Sequence, residues 1–333
     1  MTAWIPGAAN GRQALLRVER LTTAFTPRAG PILAVNDVSF SLGRGEALGL
    51  VGESGCGKST LGLSLVRLIP SAAGRIVAGR ILFDGLDLLE LPTDQMRRLR
   101  GERIAMIFQN PMTSLNPTYT IGAQIVEALQ AGEVRQADPW GRAISLLDLV
   151  GMPGSRDRAR SYPHELSGGM RQRAMTAMAL SRSPDLVTAD EPTTALDVTI
   201  QAQILWLLDD LRRRSGSAMI FITHNLVVAS NFCDRIAVMY AGRIVETASA
   251  QEIVERPLHP YTRALVAALP TGHWSERSIS SIPGSPPPLH AGQPGCLFAP
   301  RCPNRSERCE NDSPQLELIA EGHEAACWWV KGR

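Results

Sequence analysis

Residues Gly52–Ser59 read GESGCGKS, a match to G-x-x-x-x-G-K-S. The run ALGLVG just before it reads as a buried strand, and TLGLSLVRLI just after it as a helix, which is the setting this motif requires. In that setting Gly52, Gly55 and Gly57 let backbone N–H groups close around phosphate oxygens at a helix start, with Ser54, Cys56 and Thr60 completing the loop. Lys58 then reaches the β- and γ-phosphates, and the Ser59 hydroxyl ligates Mg2+.

Working outward, LLRVERLTTAF and AVNDVSFSL alternate apolar and polar residues over Leu15–Leu42, with a Pro/Gly break at Pro27–Pro31. They predict an antiparallel sheet ahead of the loop. Further apolar strands, IAMIF, DLVTAD and AMIFIT, alternate with helical segments and imply an α/β core around a largely parallel sheet. QIVEALQ and AISLLDLVGM carry apolar stripes at helical spacing, so a helical subdomain is expected at about 111–182. RIAVMYAGRIVETA predicts a hairpin turning at Ala241-Gly242.

The expected organisation is a disordered tail over 1–13, a nucleotide-binding domain over 14–269, a Pro/Ser/Gly linker over 270–292 and a cysteine-rich C-terminal module over 293–333. The chain has 333 residues, 44% hydrophobic, enough for a large core. With 34 basic against 32 acidic side chains it lacks the field of a nucleic-acid binder, so no nucleic-acid partner is expected. No apolar stretch approaches a bilayer span and the first residues do not read as a signal peptide. A cytosolic location follows, where disulfides are disfavoured and six cysteines read as packed thiols, reactive thiols or metal ligands.

Two more elements carry chemistry. In DLVTADEP an apolar strand ends at Asp190, whose carboxylate can hold Mg2+, and Glu191 is placed to orient or deprotonate a water. In LSGGMRQR, Ser167, Gly168 and Gly169 open an apolar-striped helix, a second helix start of the anion-binding kind. Two such starts beside one acidic strand end raise the possibility that the second completes a site on a partner molecule.

Taken in order, GESGCGKS, MIFQNP with Gln109, LSGGM, VTADEP, TALD and ITH resemble the nucleotide-binding subunits of ABC transporters. The resemblance implies a P-loop NTPase fold with an antiparallel β subdomain and a helical subdomain, ATP and Mg2+ as ligands, and a head-to-tail pairing with a second ABC ATPase. It implies that Ser167 and Gly169 contact the partner's γ-phosphate, that Asp197 lines the dimer seam, that His224 contacts the γ-phosphate beside Glu191, that Gln109 joins Ser59 and Asp190 at Mg2+, and that Phe25 stacks on adenine. The departures are Met170 for the usual Gln, Thr188 in an otherwise apolar strand, and Asn225 for the frequent Asp.

Longer strings, NPMTSLNP, YPHELSGGMRQR, HPYTRALVAALP and GCLFAPRCP, narrow the resemblance to the ATPase subunits of bacterial dipeptide and oligopeptide importers, including relatives that take nickel. That branch implies two transmembrane permeases and an external substrate-binding protein as partners, and a peripheral position on the cytoplasmic face of the inner membrane. A soluble ABC ATPase with a metal domain, serving DNA repair or ribosomes, is the alternative, set back by the single nucleotide domain and absent basic patch.

The last four cysteines follow Cys-x5-Cys-x6-Cys-x17-Cys, which matches neither short zinc knuckles nor the ferredoxin run. Spacing alone permits a four-thiolate site. The resemblance implies a [4Fe-4S] cluster on Cys296, Cys302, Cys309 and Cys327, with zinc as the alternative. Cys56 and Cys233 read as small packed residues.

Overall fold

In the computed structural model the alternation over Leu15–Leu42 forms two long strands, β1 (Ala14–Phe25) and β2 (Ile32–Gly43), followed by β3 (Ala47–Val51), β4 (Gly74–Phe83) and β5 (Leu86–Asp87). The remaining strands are β6 (Ile104–Ile107), β7 (Leu186–Asp190), β8 (Ala218–Thr223), β9 (Arg235–Tyr240), β10 (Arg243–Ser249), β11 (Glu317–Ala320) and β12 (His323–Ala325). The structure describes residues 14–27, 30–131, 137–193, 198–269, 282–289 and 293–331. The expected tail and most of the expected linker fall outside them.

The chain divides into two units, one of residues 1–89 and 221–333, the other of 90–220. The first holds the antiparallel sheet β2-β1-β4-β5, in which Val18 of β1 faces Phe40 of β2 on one side and Ile81 of β4 on the other. Leu16, Val18, Leu21, Val35, Val38 and Phe83 are buried there. Each such side chain contributes roughly 1.5–3 kcal/mol on leaving water.

The same unit contains strands in the order β11-β12-β10-β9-β3-β8. β3 is buried at every position and runs parallel to β9, as a continuous apolar run without alternation requires. The β9–β10 hairpin turns at Ala241 and Gly242, with φ of 47° and 83°. Two successive positive φ values make the primed turn that suits the right-handed twist of the strands.

Composition sets 293–333 apart, yet residues 293–331 belong to this unit, and β12 pairs with β10 through Glu246↔Ala325. The described part of the expected linker also docks: Leu33 N–H on β2 donates to the Leu289 carbonyl at 2.8 Å.

The second unit takes in more than the expected helical stretch, since it includes the parallel pair β6 and β7 and the start of β8. Helices Ile121–Gln130, Pro139–Leu149, Gly168–Leu180 and Val198–Ser215 surround a cluster that includes Ile121, Ile125, Leu146, Leu147 and Ala174. Thr120 and Asp138 accept hydrogen bonds at the first two of these helix starts, where backbone donors lack internal partners. Among the described residues no helix is long and apolar enough to cross a membrane.

Candidate functional site

The phosphate loop lies between β3 and the helix Lys58–Leu65, in the first unit. Gly57 caps that helix with φ 106°, and a Cβ there would fall on the Ala34 carbonyl and within 2.9 Å of the Met239 methyl. Only glycine satisfies both the backbone angle and the space. Lys58 Nζ folds back over the loop, donating to the carbonyls of Gly52 at 2.8 Å and Glu53 at 3.0 Å, with Cys56 Sγ at 3.7 Å. The buried ammonium is thus held over the loop by carbonyl dipoles. Ser59 and Thr60 are half-buried in the first helical turn, while Ser54 and Gly55 are exposed. Burial pushes the Cys56 thiol up, which suppresses the reactive thiolate.

Phe25 ends β1, opposite Ile32 and Gly74, and its ring covers Gly74. His224 follows β8 and is exposed. Asn225, the departure from Asp, caps the next helix: its Oδ1 accepts from Val227 N–H at 3.0 Å and Val228 N–H at 3.2 Å. A neutral amide oxygen fills that capping role as an aspartate would.

In the second unit Asp190 ends β7 and is buried, and Glu191 follows it with φ 45°. A left-handed backbone at a non-glycine residue is a strained arrangement typical of functional positions. Gln109, in the loop after β6, donates from Nε2 to Glu191 Oε2 at 3.0 Å. Thr188 Oγ1 in β7 is buried without a hydrogen-bond partner.

Ser167 caps the helix Gly168–Leu180, its Oγ accepting from Met170 N–H at 3.3 Å. Ser167 and Gly168 are exposed and Gly169 is half-buried. Met170 packs its thioether against the helical core, where a polar Gln would not. Asp197 lies outside the described residues.

Cys296, Cys302, Cys309 and Cys327 are free thiols, as are Cys56 and Cys233. Burial, and after it the neighbouring thiols of Cys309, Cys327 and Cys302, push the Cys296 thiol up to about 11. Cys296 N–H donates to the Cys309 carbonyl at 2.7 Å. Among the described residues no group of three or more His, Cys, Asp or Glu is arranged to hold a metal ion.

Several contributors escape the motif reading. Glu53 N–H donates to the Tyr261 hydroxyl at 2.9 Å, and its carboxylate receives Arg301. Both partners sit in strings quoted above, HPYTRALVAALP and GCLFAPRCP, but nothing local in those strings points to the loop.

The ABC transporter family matches residues 35–194, and the oligopeptide/dipeptide transporter C-terminal region matches residues 245–309. The chain is 52% identical over 316 residues to a probable peptide ABC transporter ATP-binding protein of Sinorhizobium fredii, covering 94% of each. It is 46% identical to the oligopeptide transport ATP-binding protein OppD of Escherichia coli, covering 98% of this chain and 96% of the relative. The dipeptide transport ATP-binding protein DppD of Bacillus subtilis is 45% identical, with 94% of each covered. Among solved structures, a dimeric ATP-binding cassette bound to ADP and Pi superposes with a TM-score of 0.64 at 26% identity, covering 71% of this chain and 98% of the other. On this ground the chain belongs to the ABC transporter ATP-binding family, in the branch that carries the oligopeptide/dipeptide transporter C-terminal region.

Proposed function

We propose that this chain is the ATP-hydrolysing subunit of a peptide ABC importer. One observation carries the reading: a formed phosphate loop, with Lys58 folded over Gly52 and Glu53, occurs in a chain whose residues 245–309 match the C-terminal region of oligopeptide and dipeptide transporters.

In this reading the loop amides of Gly52–Ser59, with Lys58 and Thr60, bind the phosphates, and Phe25 stacks on adenine. Ser59, Asp190 and Gln109 offer hydroxyl, carboxylate and amide oxygens, the hard donors that suit Mg2+. That ion would neutralise charge on the phosphates. Glu191, its carboxylate held by Gln109, orients the attacking water, and His224 meets the γ-phosphate. Ser167, Gly168, Gly169 and Asp197 serve the nucleotide of a second ABC ATPase. Two permeases and an external binding protein complete the assembly, and the subunit works peripherally at the cytoplasmic face.

At the C-terminal end the donor set is four free thiols, the soft ligands that suit an iron-sulfur cluster, with zinc as the alternative, although among the described residues no group of three or more is arranged to hold a metal ion. Cys296, Cys302, Cys309 and Cys327 would hold it, and its chemistry there would be a structural tie for a Pro-rich segment.

The deciding experiment is reconstitution with two permeases in proteoliposomes, reading phosphate release. Stimulation by a peptide-loaded binding protein is the expected result. Stimulation by a nickel-loaded one alone would replace the peptide, and tight association with ribosomes or DNA would overturn the transport reading.

A further inference from the structure

Glu53 is the second residue of the phosphate loop, and each of its polar groups is held. Its N–H donates to Tyr261, its carbonyl accepts from Lys58, and its carboxylate receives a two-pronged pair from Arg301: Nη1 to Oε2 at 2.7 Å and Nη2 to Oε1 at 3.0 Å. The Arg301 side chain is 4% exposed.

Arg301 is itself fixed on the other side. Nε donates to the Pro283 carbonyl at 2.9 Å, Nη2 to the Ile282 carbonyl at 3.3 Å, and Nη1 to the Tyr240 hydroxyl at 3.3 Å. Tyr240, Tyr261 and Phe298 pack ring against ring around it, with centroids 4.6 to 5.4 Å apart. In the chain, Arg301 closes the short turn Ala299–Arg301 between Cys296 and Cys302. The geometry of the cysteine segment therefore decides where the guanidinium fork stands, and the fork decides where Glu53 stands.

Glu53 also supplies one of the two carbonyls that hold Lys58 Nζ. We propose that Arg301 is a positioning residue for the phosphate loop, so that nucleotide binding and the order of the cysteine segment Cys296–Cys302 stabilise each other. This rests on the reading that the chain binds and hydrolyses ATP. A bidentate fork locks both distance and plane of its carboxylate, which a lysine cannot do. Coupling of two sites through such a pair is reciprocal, so each site senses the other with the same factor.

The test uses the full chain, Mg·ATP, a fluorescent ATP analogue and amide hydrogen exchange over Cys296–Cys302. Arg301→Lys, Arg301→Ala and Glu53→Gln are each expected to weaken nucleotide binding about tenfold and to raise KM more than they lower kcat, within the usual range of coupling. Arg301→Ala combined with Glu53→Gln is expected to be no worse than either alone. Nucleotide should slow exchange over Cys296–Cys302 in the native chain but not in Glu53→Gln. Unchanged affinity in both Arg301 variants, additive losses, or nucleotide-independent exchange in the native chain would each overturn the proposal, even if the variants melt earlier. Native protein that fails to bind Mg·ATP would instead overturn the ATPase reading and take this proposal with it.

Discussion

The Gln109 amide donates to the Glu191 carboxylate across 3.0 Å, joining the loop after β6 to the residue after β7, 82 positions apart. Glu191 holds a left-handed backbone, φ 45°, and one of its oxygens is oriented by this bond. Glutamine at 191 keeps an oxygen for Gln109 to bind but cannot take a proton from water. Glu191→Gln is therefore expected to bind the ATP analogue as the native chain does and to lose hydrolysis by about 10²- to 10⁴-fold, the usual worth of a general base. Steady-state phosphate release checks this, and full turnover by the variant would remove Glu191 from the role.

Gly57→Ala tests the phosphate loop itself. The added methyl meets the Ala34 carbonyl at a backbone angle, φ 106°, that alanine rarely adopts. The expected outcome is a lower thermal midpoint together with loss of nucleotide binding, read by scanning fluorimetry with and without Mg·ATP. A variant that still gains thermal stability from nucleotide would show that the loop tolerates a shift there.

Acid should loosen the first unit through His259. This side chain is buried, accepts the Tyr261 N–H on Nδ1 at 3.0 Å, and donates its backbone N–H to Glu246 at 2.8 Å. Burial lowers its pKa to about 4, against the opposing pull of the Glu246 carboxylate. The unfolded chain then binds the extra proton between about pH 6.5 and 4, so this contribution to stability is complete above pH 6.5 and is lost as pH falls through that window. His259→Asn, which keeps a capping oxygen, is expected to flatten that part of the melting-temperature profile. An unchanged profile would assign the acid sensitivity elsewhere.

The four C-terminal thiols make a prediction of composition. Anaerobically purified protein is expected to absorb in the visible and to carry iron and sulfide, and Cys309→Ala to lose both. Colourless protein with stoichiometric zinc would reassign the site, and metal-free protein of native stability would remove it. Cys56, buried and with its thiol pushed up, is expected to react slowly with thiol reagents, checked by labelling of the folded chain.

Local patterns were enough for the phosphate loop, the antiparallel strands β1 and β2, the turn at Ala241-Gly242 and the acidic end of β7, because each depends on residues close in the chain. Alternation predicts a strand, adjacent positive-φ residues a turn, and a Gly-rich loop between strand and helix a phosphate cradle. The helical stretch was legible as helices, and the described elements between β6 and β7 run as helices from Pro111 to Leu180; that their unit also takes in β6 and β7 depends on packing, which local periodicity does not carry.

Composition suggested that the cysteine-rich end stands apart, and the fold joins it instead to the β10 edge and to the phosphate loop. Arg301 and Glu53 are 248 residues apart, and no periodicity or spacing links residues so distant. The amino-acid order alone was sufficient to place the glycine-rich loop between β3 and its helix, because backbone freedom and side-chain type at neighbouring positions define it. Which distant side chain holds that loop in place was settled by folding, because a bidentate ion pair exists only where packing brings a buried guanidinium and a carboxylate into one plane.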